Sequence, residues 1–209
     1  MAGSGPLHTG SSSAGALPIG VLALQGDFRE HLAVLGGLGA DARSVRTPEQ
    51  LASVRGLVIP GGESTVMDKL TRAFDLAEPL RDAITAGLPV YGTCAGLIMI
   101  ADRIIDGGRD QQTLGGFDVT VRRNAFGSQT DSFETDLDVP ELGDVPVHAA
   151  FIRAPVIEQA GPDVTTLASL DDGRVVAARQ GNLLGTSFHP EMTGEHRFHE
   201  LFLRMVAAA

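Results

Sequence analysis

The sequence contains a single cysteine, Cys94, among its 209 residues. One cysteine excludes an internal disulfide, and a reduced, cytoplasmic setting is therefore the expectation. Basic residues are also few, at 16 against 26 acidic ones, which gives a net charge of −10. This balance argues against a nucleic-acid partner, because phosphate binding needs a concentrated basic surface. No apolar run approaches the roughly 18 residues of a membrane-spanning helix, so no membrane partner is expected either.

The first 17 residues differ in composition from the rest of the chain. They are rich in glycine, serine and alanine and show no periodic pattern of apolar residues. They also lack the basic start and the apolar middle of a secretory signal. We expect residues 1–17 to form a disordered extension. Residues 18–209 are expected to form one domain, because this length suits a single sizeable core.

Short apolar runs alternate with stretches of helical spacing in the first half of the chain. Strands are predicted at 19–24, 42–45, 56–59 and 88–91. Helices are predicted at 28–38, at 64–86 with a break before Pro79, and at 95–105. The second half is rich in strands, at 117–121, 132–137, 147–151, 164–167, 175–178 and 183–187, and ends in a helix at 195–206. The alternation indicates parallel pairing in a layered α/β domain.

Cys94 lies in the stretch Gly92-Thr93-Cys94-Ala95-Gly96, between a predicted strand and a predicted helix. This is the layout of a nucleophile elbow, a sharp turn that holds one side chain out above a sheet. The start of the following helix favours a thiolate and supplies free N–H groups for an oxyanion. The alternative is that Cys94 is a small buried hydrophobe, as many lone cysteines are.

A candidate base for Cys94 occurs in Phe188-His189-Pro190-Glu191, directly after the last predicted strand. Pro190 disfavours helical geometry at His189. In an extended segment, residues two apart project to the same side, so His189 and Glu191 are expected to face one cleft. Glu191 would then orient the imidazole of His189 toward Cys94. The alternative is that His189 is only a turn residue bonded to the backbone.

Two further segments follow predicted strands and are expected at the same edge of the sheet as Cys94. They are Gln25 and the turn Pro60-Gly61-Gly62-Glu63. Ligands of open α/β sheets bind where the strands end. The backbone N–H groups of Ala95 and Gly62 are therefore the candidate oxyanion donors, since glycine permits the close approach of backbone to a ligand.

The remaining histidines are weaker candidates. His31, His196 and His199 fall on predicted helices and are expected on solvated faces. His196 and His199 are three residues apart, as in some metal sites, but no further ligand is placed to complete one. His148 precedes an apolar strand and is expected to be structural. We therefore predict no metal site.

These motifs together resemble those of class I glutamine amidotransferases. The family marks are G-T-C-A-G at 92–96, F-H-P-E at 188–191 and P-G-G-E-S-T at 60–65. Within that family the chain closely resembles the glutaminase subunits of pyridoxal 5'-phosphate synthase. The subfamily marks are L-Q-G-D-F-R-E-H at 24–31, R-N-A-F-G at 123–127, D-S-F-E at 131–134 and F-I-R-A-P at 151–155. The likeness runs from about residue 19 to residue 205.

The resemblance implies a flavodoxin-like α/β three-layer sandwich with a mixed central sheet. It implies a glutaminase with a Cys94, His189 and Glu191 triad, and with Gly62 and Ala95 as the oxyanion hole. It places the substrate, L-glutamine, around Gly62, Glu63, Ser64, Arg123, Ile152 and Arg153. It also implies that no cofactor is needed, that ammonia passes to a separate synthase (lyase) subunit, and that Gln25 is linked to activation by that partner.

A guanidinium fork suits the carboxylate of glutamine, which agrees with the placement of Arg123 and Arg153. Arg122 and Arg174 are expected to be ordinary surface residues. Three other readings stay open: a glutaminase subunit of another ammonia-using synthase, a Cys-His hydrolase or peptidase on the same fold, and a non-catalytic binding subunit. The segment 106–113, with two adjacent glycines, is longer than the resemblance leads us to expect.

Overall fold

The computed structural model describes residues 16–126 and 132–209. In the first half of the chain, strands and helices alternate. The strands are β1 (Pro18–Leu22), β2 (Asp41–Val45), β3 (Gly56–Ile59), β4 (Val90–Thr93) and β5 (Ala101–Ile105). The helices are α1 (Phe28–Gly37), α2 (Pro48–Leu51), α3 (Ser64–Ala73), α4 (Ala77–Thr85) and α5 (Ala95–Ile100). The predicted break before Pro79 is confirmed, because α3 and α4 are separate helices.

The second half of the chain consists mainly of strands. They are β6 (Phe117–Arg122), β7 (Ser132–Leu137), β8 (Val147–Ile152), β9 (Val156–Ala160), β10 (Thr165–Ser169), β11 (Val175–Gln180) and β12 (Leu183–Thr186). A 3-10 turn spans Pro140–Leu142, and two helices follow the strands, α6 (Pro190–Thr193) and α7 (Arg197–Ala208). Most predicted boundaries agree with these bounds to within two residues.

Within the described residues, one mixed sheet carries most of the strands. Its order is β2-β1-β3-β4-β12-β11-β9-β6-β5, with β10 beside β11. The pairs from β2 to β12 are parallel, and β11 is antiparallel to β12. Strands β7 and β8 form a separate antiparallel pair. Strand β12 thus lies directly beside β4 although the chain between them is long, and this places the segments after both strands at one edge.

The two faces of the sheet bury separate cores. Neighbouring residues of a strand point to opposite faces, so Val90 packs with one cluster and Tyr91 with the other. The first cluster is covered by α2, α3, α4 and α5, and the second by α1, α7 and the β7–β8 pair. The domain is therefore a three-layer α/β sandwich around a mixed sheet, as predicted.

The helix predicted at 95–105 is wrong beyond Ile100. At Ala101 the backbone becomes extended, with φ −65° and ψ 145°, and residues 101–105 pair with β6 in parallel. The apolar run through this segment suited either structure, and the pairing with β6 decides it. Strand β9 was not predicted, because its sequence Val-Ile-Glu-Gln-Ala has only two large apolar residues.

The predicted disordered extension, residues 1–17, lies outside the described residues except for Ala16 and Leu17. Leu17 packs against the second core cluster, and its carbonyl accepts a hydrogen bond from the Asp41 N–H at 2.9 Å. Gly127 and Asp131, which end and begin two of the family motifs, also lie outside the described residues. Among the helices that are described, none has the length and apolar character needed to cross a membrane.

Candidate active site

Cys94 occupies the single residue between β4 and α5. Its backbone is left-handed, with φ 48° and ψ −101°, a strained conformation for a residue with a side chain. The turn is possible because two glycines flank it. A Cβ on Gly92 would lie 2.5 Å from the Gly96 carbonyl carbon, and a Cβ on Gly96 would lie 1.9 Å from the Ile59 carbonyl oxygen. The G-T-C-A-G pattern therefore encodes a tight strand-to-helix elbow.

The backbone around Cys94 fixes the direction of its side chain. The Cys94 N–H donates to the Thr186 carbonyl of the neighbouring strand β12 at 2.8 Å. Ala95 is the first residue of α5, and the N–H groups of a first helical turn have no partner within the helix. Cys94 itself is only 7% exposed. The thiol is thus held near a helix start, with a potential oxyanion donor one residue away.

His189 and Glu191 follow β12, next to the strand that carries Cys94. Nδ1 of His189 lies 2.8 Å from Oε1 of Glu191, and both side chains are buried. The extended geometry expected for this segment is wrong, because Pro190–Thr193 is a short helix that begins directly after His189. The two side chains meet because His189 precedes this helix, with φ −112° and ψ 81°, while Glu191 lies in its first turn.

The imidazole of His189 is held in its charged form. Burial favours the neutral ring, but hydrogen bonds with Cys94 and Glu191 outweigh it and raise the pKa of His189 to about 10. Oδ2 of Asp27 is a second carboxylate oxygen, 3.6 Å from His189 Nδ1. An imidazolium between a thiol and a carboxylate is the arrangement that a cysteine nucleophile needs.

Asp27, His189 and Glu191 are also the group, among the described residues, whose atoms could meet at a metal ion. Their potential ligand atoms lie within 4.8 Å of one another. Nδ1 of His189 already makes its hydrogen bond to Glu191. A metal bound through that nitrogen would have to break the contact that orients the ring toward Cys94.

The Gly61–Gly62 turn approaches Cys94 from the end of β3. The Gly61 carbonyl points toward α1 and accepts from the Asp27 N–H at 3.4 Å. Because the peptide is trans, the Gly62 N–H points the opposite way. Gly62 has φ 141° and lines both cavities beside Cys94. The side-chain Oε1 of Gln25 accepts from the Glu63 N–H at 2.9 Å, so Gln25 braces this turn.

The structure brings all the predicted substrate-binding residues to Cys94. A cavity of about 40 Å³ beside the thiol is lined by Gly62, Glu63, Ser64, Arg123, Ile152 and Arg153, with Ala95. A wider cavity of about 300 Å³ adds Gln25, Asp27, His189 and Met192. Two side chains at this opening, Ile152 and Met192, are exposed hydrophobics.

Arg123 is held by a network that the sequence did not predict in full. Its guanidinium donates to Glu63 at 2.9 Å, Thr65 at 3.1 Å and Gln111 at 3.0 Å. Gln111 lies in the long 106–113 segment and also donates to Ser64 at 3.0 Å. This segment therefore packs onto the start of α3 and braces the cavity wall. Gln111 belongs to none of the sequence motifs, so the sequence did not predict its role in this network.

Three residues with side chains and left-handed backbones line the small cavity. They are Cys94, Asn124 and Arg153, with φ of 48°, 48° and 47°. Such backbone costs about 1–3 kcal/mol per residue and tends to concentrate at functional sites. Asn124 was not predicted as a site residue, although it lies inside the R-N-A-F-G motif.

Two of the histidines expected on solvated faces are buried instead. His31 in α1 and His199 in α7 are both 0% exposed, and His31 lies next to Glu191. The prediction failed because α1 and α7 lie on the same face of the sheet, and there the two side chains are buried against each other. His196 is exposed, as expected. His148 is exposed on β8, where hydrogen bonds to Asp136 and Glu134 raise its pKa.

The two arginines expected at the surface have partners away from Cys94. Arg122 pairs with Asp106 and Glu158. Arg174 pairs with Asp172, and its guanidinium lies 4.2 Å from the centre of the Phe126 ring. Neither lines the cavities beside the thiol.

Comparison with known proteins agrees with this geometry. A pyridoxal 5'-phosphate synthase subunit PdxT from Clavibacter michiganensis subsp. michiganensis is 70% identical over 191 residues, 91% of each chain. The protein of the same name from Clavibacter sepedonicus is 68% identical, covering 100% of this chain and 98% of its own. A crystal structure of a glutamine amidotransferase matches with a TM-score of 0.84 at 46% identity. The match covers 90% of this chain and 98% of that one and confirms the predicted fold class. The profile of the SNO glutamine amidotransferase family matches residues 21–208, and the chain belongs to that family.

Proposed function

We propose that this chain is a glutaminase that hydrolyses L-glutamine to L-glutamate and ammonia. The ammonia goes to the synthase subunit of pyridoxal 5'-phosphate synthase for vitamin B6 biosynthesis. The observation that carries the proposal is that Cys94, at a strained elbow, lines the same cavity as His189, whose imidazole a buried carboxylate orients. The names of relatives with 68–70% identity over 91% or more of the chain support the same activity and partner.

In the proposed reaction, the thiolate of Cys94 attacks the side-chain amide carbon of glutamine. A C–S bond forms, and the amide oxygen takes up negative charge. His189 gives its proton to the departing nitrogen, the C–N bond breaks, and ammonia leaves behind a glutamyl thioester. His189 then removes a proton from water, which attacks the thioester carbon and releases glutamate with the thiol restored. No cofactor takes part in these steps.

The developing oxyanion needs donors that are already in place. The N–H groups of Gly62 and Ala95 are the proposed pair. Ala95 supplies the first N–H of α5, and the Gly62 N–H points away from Asp27 at the other side of the cavity. Loss of one such donor typically costs about 100- to 1,000-fold in rate. Gln25 fixes the backbone beside Gly62, which is how it would connect partner binding to activity.

The proposed glutamine site is the small cavity beside Cys94. Arg123 and Arg153 would receive the carboxylate of the substrate, and Glu63 would face its ammonium group. Ser64 and Ile152 complete the wall. The exposed side chains of Ile152 and Met192 at the mouth are suited to contact with the synthase partner.

We propose residues 18–209 as the glutaminase domain, and a cytoplasmic location because the reaction requires a reduced Cys94.

The test is glutamate release by the purified chain with and without the synthase subunit. Cys94→Ala should abolish release, while Arg122→Ala, outside the cavities, should retain it. Full activity of Cys94→Ala would refute the thioester mechanism. An amide screen separates the remaining possibilities, because a general Cys-His hydrolase would cleave amides other than glutamine. If only a different synthase stimulated glutamate release, the assignment to vitamin B6 synthesis would be wrong.

A further inference from the structure

A buried pair of histidines lies directly behind the carboxylate of Glu191. His31 comes from α1 and His199 from α7, and neither side chain is exposed. Nδ1 of His31 is 2.9 Å from Nε2 of His199. On its other side, Nε2 of His31 lies 3.1 Å from the Thr93 hydroxyl oxygen and 3.5 Å from Oε1 of Glu191. None of these contacts has a part in the mechanism above.

Both imidazoles of the pair are neutral. Burial lowers the pKa of His31 well below its usual value, and positive charge on His199 and His189 would lower it further. Burial likewise lowers the pKa of His199 to about 3. A neutral imidazole has one N–H and one bare nitrogen. The hydrogen bond between the rings therefore has a definite direction, set by which ring supplies the proton.

The surroundings select one of the two directions. Among the described residues, Nδ1 of His199 has no hydrogen-bond partner. If Nδ1 of His31 donated to Nε2 of His199, the proton of His199 would lie on its buried Nδ1 as an unpaired N–H. The bare Nε2 of His31 would then face the carboxylate of Glu191. If His199 donates through Nε2, its Nδ1 is a bare acceptor, which costs less to leave unpaired than a donor. The Nε2–H of His31 then donates to the Thr93 hydroxyl at 3.1 Å, and Oε1 of Glu191 lies 3.5 Å from the same nitrogen as a second, longer contact.

We propose that His31 is a positioning residue for Glu191 and that His199 fixes the tautomer of His31. Oε1 of Glu191 would then lie between two imidazole donors, His189 on one side and His31 on the other. Oε2 of Glu191 is buried and has no partner among the described residues, so no other described hydrogen bond opposes rotation of the carboxylate. The inference rests on the proposed glutaminase activity, in which Glu191 orients His189.

Kinetics of two variants of His31 test this role. His31→Leu removes the donor, and we expect kcat for glutamine, measured with the synthase subunit, to fall about tenfold or more while KM stays within about twofold. His31→Gln keeps an amide N–H near the position of Nε2 and should restore most of kcat. Equal kcat values for His31→Leu and the native chain would overturn the proposal, as would equal losses in His31→Leu and His31→Gln at matched melting temperatures.

A measurement on the native chain covers the case in which the variants do not fold. The ¹⁵N NMR shifts of the imidazoles report directly which nitrogen carries the proton. We expect His31 to be protonated at Nε2 and bare at Nδ1, and His199 to be protonated at Nε2. A proton on Nδ1 of His31 would overturn the inference. If the native chain releases no glutamate in the presence of its partner, the proposed glutaminase activity is wrong. The NMR shifts test the tautomers of His31 and His199 independently of that result.

Discussion

Replacing Gly96 with alanine should disturb the elbow at Cys94 more than any exposed glycine-to-alanine change. A Cβ at this position would lie 1.9 Å from the Ile59 carbonyl oxygen, about 1.4 Å closer than the roughly 3.3 Å of the shortest normal C···O contacts. The neighbouring atom belongs to the backbone of a central buried strand, β3, and cannot rotate away. Helix α5 must therefore move off the sheet, and the turn that holds Cys94 must move with it.

The size of both effects can be estimated. Overpacking of this kind costs about 1–3 kcal/mol, and in a chain of this length each kcal/mol lowers the melting temperature by about 2–4 °C. A displacement of about 1 Å at a reacting group costs on the order of 100-fold in rate. Gly96→Ala should thus melt several degrees earlier and lose most of its kcat, whereas KM for glutamine should change less.

The assay is calorimetric melting together with glutamate release in the presence of the synthase subunit. Gly36→Ala is the matched control, because Gly36 is in helix α1 and a Cβ there would meet nothing within 4 Å. Alanine favours a helix over glycine, so the control should melt at or above the native temperature with unchanged kcat. Native melting and native kcat in Gly96→Ala would show that α5 is not packed on Ile59 as described.

Two other predictions concern charge at the site. The pKa of His189 is about 10, against 6.5 in the unfolded chain, and this difference adds stability that is complete below pH 6.5 and is lost as the pH rises to about 10. Calorimetry should therefore show the melting temperature falling over this pH range, and the fall should be smaller in Glu191→Gln. An identical fall in both proteins would show that Glu191 does not raise the pKa of His189. Arg123→Lys should raise KM for glutamine about tenfold, since a lysine cannot replace the charge-assisted hydrogen bonds of the guanidinium. The matched Arg122→Lys lies outside the cavities beside Cys94 and should leave KM unchanged; equal KM values for all three proteins would remove Arg123 from the site.

The sequence predicted the parts of the site that are encoded locally. The elbow at Cys94 could be recognised because two glycines and an apolar strand are its immediate neighbours. His189 and Gly62 could be assigned to the same edge because each follows a strand, and strand ends in such sheets meet at one rim. These predictions required only the order of the elements and short-range steric rules.

The parts that the sequence did not predict depend on contacts between distant segments. His31 and His199 fall on predicted helices and were expected on solvated faces, whereas the packing of α1 and α7 buries them together. Gln111 acquires its partners only when the 106–113 segment folds onto α3. The end of α5 at Ile100 likewise depends on the pairing of β5 with β6, which no local pattern reports.

The pairing of β4 with β12 has a consequence for the synthesis of the protein. The ribosome makes Cys94 long before it makes His189, because nearly half of the chain separates them in sequence. Until β12 is inserted beside β4, the thiol lacks the proposed base His189, the proposed orienting carboxylate of Glu191 and the Thr186 carbonyl that holds its backbone. A nascent or truncated chain without β12 therefore lacks the contacts on which the proposed nucleophile depends. We expect the proposed reactivity of Cys94 to arise only once β12 has paired with β4.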